Sequence, residues 1–144
     1  MERSVQIFFD LHAVNLSFGN STGLVKDYAL PLTMFFDSSE AVILDETDLP
    51  NMLGIYCRGL SENFETPLIA EVSHVKFLDT SSCTAVVDWF SVSLNRKISL
   101  VNYYLSRLDG DWKISMASFK RLTPKQFLAC CQNAPALSSG RYTV

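Results

Sequence analysis

ISLVNYYLSRLDGDWKISMASF, residues Ile98 to Phe119, is the stretch whose reading decides the fold. Asp109-Gly110 lies between two β-prone runs, and Asp-Gly flanked by alternating apolar residues is the strongest short-range hairpin signal. Val101, Tyr103, Tyr104 and Leu105 lead into the turn; Trp112, Ile114, Met116 and Phe119 lead out of it. The stretch reads as the last hairpin of an antiparallel sheet. Its register stays open in the sequence. A two-residue turn pairs Leu108 with Asp111, whereas a bulged turn shifts the pairing by one and exchanges the faces of Tyr103 and Tyr104.

Moving upstream, the hydrophobic period is two from residue 68 onward, which predicts strands over 68–78, 84–94, 100–108 and 112–119. In the second of these, Ala85, Val87 and Trp89 point one way and Val86, Phe90 and Val92 the other. An antiparallel strand that is apolar on both faces is covered on both faces. Helices can cover one; the chain has too few for the second, so another subunit's sheet is the natural cover. Charged residues make up 19% of the chain, below the ~25% of an average domain, and this agrees with surface hidden in a homodimer.

The N-terminal half has helical period. Residues 5–16 read as an amphipathic helix with Ser4 as N-cap and Val5, Ile7, Phe8, Phe9, Leu11 and Leu16 on its apolar face. His12 and Asn15 fall on that same face. Gly19 to Gly23 is a loop, with Ser21 or Thr22 capping a short helix that reaches about Tyr28. Strands are expected over 32–36 and 41–44, joined by a turn at Asp37-Ser38-Ser39. Thr47-Asp48-Leu49-Pro50 starts a longer helix: a capping Thr, an acid in the first turn, and Pro where its missing N–H does no harm. Leu49, Met52, Leu53, Ile55, Tyr56 and Leu60 supply its buried face up to about Glu62. Thr123-Pro124 opens a last short helix to about Gln132, followed by a tail. At 144 residues the whole chain reads as a single domain, with a core over about 4–121.

Net charge is −3, and Lys120-Arg121 is the longest basic run, so the concentrated basic stripe of a nucleic-acid binder is missing. No apolar stretch approaches the ~20 residues that span a bilayer, and MERSVQIFFD does not read as a signal peptide. The expectation is a soluble cytoplasmic protein with no nucleic-acid or membrane partner. Cys57, Cys83, Cys130 and Cys131 make no CxxC and no zinc spacing, which suits free thiols in a reducing compartment. His12 and His74 are the only histidines and lack an acidic pair at ligand spacing, so no metal and no other cofactor is expected.

The order of helix, short helix, hairpin, long helix and four long antiparallel strands ending in DGDWKI resembles the nuclear transport factor 2-like (SnoaL-like) superfamily. The likeness covers roughly residues 4–121, and its most specific piece is YYLSRLDGDWKI, which resembles the YxLxxxDGxWKI pattern common there. IFFDLH is similar to the usual first helix, often with Tyr where this chain has His12. LPLTMFF and CTAVV are also similar to family segments. The resemblance implies an α+β fold in which a curved, mostly antiparallel sheet forms a cone with helices on its concave face. It further implies an open-ended pocket and commonly a homodimer. The superfamily spans several enzyme classes and many non-catalytic modules, so the fold does not choose a function, and no family catalytic set transfers onto this chain residue by residue.

Candidate site residues follow from burial and chemistry. His12 has the address of a pocket residue, and an imidazole can serve as acid, base or ligand anchor; alternatively it is a core histidine bonded to a backbone carbonyl or to Asn15. Asp88 sits in the strand that is apolar on both faces, and a buried carboxylate must be paired, hydrogen-bonded or protonated. Facing inward it is a candidate general base; facing outward, the favoured orientation, it pairs with a cation across a dimer. Tyr56, Trp89 and Tyr103 suit the wall of a pocket for a planar organic molecule, and equally suit a core. The leading expectation is a small-molecule binding protein whose cone takes a largely apolar ligand through His12, Asn15, Tyr56, Trp89 and Tyr103. Its rivals are a lyase, isomerase or hydrolase using His12 with Asp88 or Tyr56, and a dimerisation module with a filled cone.

Overall fold

The structure, a computed structural model, describes residues 2–35, 41–120 and 142–143. Helix α1 spans Glu2–Ser17, α2 Ser21–Val25 and α3 Asp48–Glu62. The strands are β1 Tyr28–Phe35, β2 Ala41–Leu44, β3 Leu68–Asp79, β4 Ser82–Ser91, β5 Arg96–Leu108, β6 Asp111–Phe119 and β7 Tyr142–Thr143. They form one sheet in the order β3-β4-β5-β6-β1-β2-β7. All pairings are antiparallel except β1 with β6. The turn expected at Asp37-Ser38-Ser39, the last helix and Cys130-Cys131 lie outside the described residues.

The decisive hairpin is a two-residue turn. Leu108 pairs with Asp111, and Asp109 and Gly110 both have positive φ, 52° and 84°, the signature of a type I′ turn whose twist matches its strands. A bulge enters further along, where Tyr104 faces Met116 and Leu105 faces Ile114. The extra residue reverses the alternation of β6, so Trp112, Ile114, Ala117 and Phe119 are all buried. β5 itself alternates without a break from Ser99 to Leu105, so Tyr103 faces the core and Tyr104 the other side.

Three local expectations change. Ser4 does not cap α1 from outside; it lies in the first turn and its Oγ accepts the indole N–H of Trp112 at 3.1 Å. Asn20, not Ser21 or Thr22, caps α2, accepting from the Gly23 amide at 3.1 Å. That helix stops at Val25, and Tyr28 already belongs to β1, which runs through Pro31. At α3 the Thr47 side chain makes no capping bond. Asp45 Oδ1 instead accepts from the Thr47 and Asp48 amides at 2.9 and 3.0 Å, a carboxylate at the positive helix end.

The core lies between the helices and one face of the sheet. Cys83, Ala85, Val87 and Trp89 of β4 are buried there, with Ser99, Val101, Tyr103 and Leu105 of β5. Val5, Phe9, Leu49, Met52, Leu53 and Leu60 cover them from α1 and α3. Among the described residues no helix is long and apolar enough to cross a membrane.

Candidate functional site

His12 is carried into the core by the apolar face of α1 and is 2% exposed. Its ring stacks on Phe8 at 6.0 Å and lies 6.0 Å from the Trp89 ring. Nδ1 is 2.7 Å from Asp27 Oδ2, and the Asp27 side chain is 21% exposed. Asp27 sits in the turn between α2 and β1, held by backbone bonds at both ends. Its amide donates to the Leu24 carbonyl at 2.9 Å, and its carbonyl accepts from the Ile114 amide at 2.7 Å. The carboxylate can only accept, so it assigns the imidazole proton to Nδ1. The Nε2 lone pair then faces the hydroxyl of Tyr28 at 3.4 Å.

That edge of the imidazole borders a cavity. His12, Tyr28, Tyr56, Trp89, Ser99 and Tyr103 line it together with apolar groups that include Met34, Met52 and Phe119. Asp27 stays outside the lining, on the Nδ1 side. The interior leaves about 30 Å³ for the centres of water-sized spheres, room for about two waters. On the sheet side, Trp89 Nε1 donates to the Tyr103 hydroxyl at 2.9 Å.

Burial dominates the electrostatics of the site. Burial pushes the Tyr28 phenol well above its ordinary value, and the neighbouring Tyr103 and Asp27 add to the effect. Burial raises Tyr103 as well, partly offset by the Trp89 N–H. Both phenols therefore stay protonated, as donors. Burial also raises Cys57 and Cys83, which removes the thiolate a nucleophile needs. Among the described residues no group of three or more His, Cys, Asp or Glu side chains could hold a metal ion.

Of the residues singled out in the sequence, the cavity brings together His12, Tyr56, Trp89 and Tyr103. It leaves out two. Asn15 is half-buried and its Oδ1 accepts from Asn20 Nδ2 at 3.1 Å, so it belongs to the α1–α2 corner. Asp88 lies on the opposite face of β4, 3.7 Å from Lys97 Nζ of its own chain. It cannot act with His12, because strand alternation points the two away from each other. Sequence reasoning missed Asp27, Tyr28 and Ser99. His12 has no acid partner visible in the sequence because the helical pattern there extends to about Tyr28, whereas α2 ends at Val25 and leaves Asp27 in a turn.

No family model matches the chain, and no curated protein matches it in sequence. Solved structures do. An NTF-2 like protein of unknown function from Shewanella oneidensis superposes with a TM-score of 0.66 at 12% identity, covering 83% of this chain and 98% of that one. A domain of unknown function with a cystatin-like fold from Nostoc punctiforme gives 0.63 at 14% identity, with 91% and 83% covered. A putative calcium/calmodulin dependent protein kinase II association domain from Xanthomonas campestris gives 0.61 at 16%, with 86% and 89% covered. The fold is therefore NTF2-like, an α+β sheet with its helices on one face, and these likenesses bear on the fold alone.

Proposed function

We propose that the protein binds a small, largely apolar organic molecule in the cavity beside His12, and that the His12–Asp27 pair equips this site for proton transfer. The observation that carries the reading is the pair itself, imidazole Nδ1 on carboxylate at 2.7 Å with the other imidazole edge on a cavity. Packing alone does not call for it. Replacing a buried ionisable pair by apolar side chains is often neutral or stabilising. An imidazole whose Nδ1–H is fixed by a carboxylate presents Nε2 as a general base. A ligand larger than the present cavity enters by displacing Met34 and Met52, unbranched side chains that repack readily.

A second reading is an association module whose cone is nearly filled by its own side chains. The small volume favours it, and the Xanthomonas protein is described as an association domain. Native mass spectrometry of the protein as purified separates the two. The ligand reading expects a small organic mass that leaves on denaturation and is missing from a folded His12→Leu variant. Ligand-free protein, with no small molecule shifting the resonances of cavity residues, would leave the module.

A further inference from the structure

The sheet wall of the cavity carries two buried hydroxyls whose protons have no acceptor among the described residues. Tyr103, 6% exposed, receives the Trp89 indole N–H on its oxygen, and its own O–H donates to nothing described. Ser99, 8% exposed, makes no side-chain hydrogen bond among the described residues. Both line the cavity. Buried polar groups are almost always paired, so two uncommitted donors on one wall call for a partner.

The register explains how the wall is built. Trp89 faces Ser99 across β4 and β5, whereas Tyr103 faces Ala85. Indole and phenol therefore lean toward each other along the strands, over Val87 and Val101. Their bond fixes the phenol oxygen before any ligand arrives, which lowers the ordering cost of binding. Burial keeps the phenol protonated. Among the described residues no Lys or Arg lines the cavity, so an anion would meet no counter-charge from them.

We propose that Tyr103 and Ser99 form a donor wall that receives the carbonyl oxygen of a neutral ketone, aldehyde, ester or amide, with Tyr103 as the specificity-determining residue. The proposal rests on the ligand-site reading above. It adds the chemical class: an acceptor group on an otherwise apolar molecule.

The test compares cyclopentanone with methylenecyclopentane, which replaces C=O by C=CH2 at nearly the same shape. Binding is followed through the Trp89 indole N–H resonance and the amides of β5. Both compounds are expected to perturb the cavity in the wild type. Tyr103→Phe should weaken cyclopentanone about tenfold, the range of one hydrogen bond left unmade, and leave methylenecyclopentane within about twofold. Ser99→Ala gives an independent measure should the first variant not fold, with about threefold expected on the ketone alone. Equal loss for both compounds would overturn the donor wall and leave the ligand site standing. Failure of both compounds to bind the wild-type protein would overturn both readings, and binding of methylenecyclopentane without cyclopentanone would overturn the donor wall alone.

Discussion

Asp27 holds His12 at 2.7 Å from a turn that is itself pinned to β6, and the value of that contact can be measured by truncating it in steps. Asp27→Ala leaves the buried Nδ1–H without an acceptor, which should lower stability by about 1–3 kcal/mol. Asp27→Asn keeps an acceptor oxygen and should cost less. His12→Leu/Asp27→Ala removes both members, so its loss in urea unfolding should fall short of the sum of the single losses by at least ~0.5 kcal/mol. Additive losses would show that the two side chains are not coupled. At this scale the sequence was half legible. His12 announced itself because a polar ring on an apolar helix face is costly to bury. Its partner did not, since no pattern in the chain says that α2 ends at Val25 and turns Asp27 back toward α1.

Helix α1 does more than cover the sheet. β3 is an edge strand, and an edge presents unpaired backbone groups that invite another strand. Here α1 supplies side chains in place of that strand. Ser17 Oγ accepts from the Leu68 amide at 2.9 Å. The Gln6 side-chain amide accepts from Val72 N at 3.0 Å and donates to the Ala70 carbonyl at 3.1 Å. Gln6→Ala should therefore speed hydrogen exchange of the Val72 amide by roughly tenfold while Val87, inside β4, is unchanged. Unaltered exchange at Val72 would show that the clamp does not close this edge. The elements themselves were largely legible, because period two and the Asp-Gly turn fix β3 to β6 locally. Strand starts were less so: β4 and β5 begin before their apolar runs, at Ser82 and Arg96, where cross-strand hydrogen bonding extends the pairing past the hydrophobic pattern. The burial of Ala117 and Phe119 opposite Tyr103 and Val101 depended on a bulge at Ser115, which no local signal marks.

At the scale of the whole molecule, the outer face of the sheet is the unresolved half of the double-sided pattern read in β4. Val86, Asp88 and Phe90 lie on it half-buried, with Leu100, Asn102 and Tyr104 beside them, while Met116 is 40% exposed. The homodimer proposed from that pattern uses this face and should bury above ~1,000 Å² in total. Asp88 gives a way to test it that core damage cannot imitate. Within one chain its carboxylate is 14% exposed and meets Lys97, itself 51% exposed, at 3.7 Å. A pair with one member in solvent is worth only ~0–1 kcal/mol, so Asp88→Ala should barely change the stability of a dilute monomer. In a dimer the same pair would be desolvated, and losing one partner would cost several times more. The loss of stability on Asp88→Ala should then grow with protein concentration across the dimer's dissociation range. Val86→Arg and Tyr104→Arg, which face away from the core, should shift light scattering from the dimer to the monomer mass with the fold retained. Wild-type protein that scatters as a monomer at micromolar concentration would remove the dimer and leave the outer face without a cover.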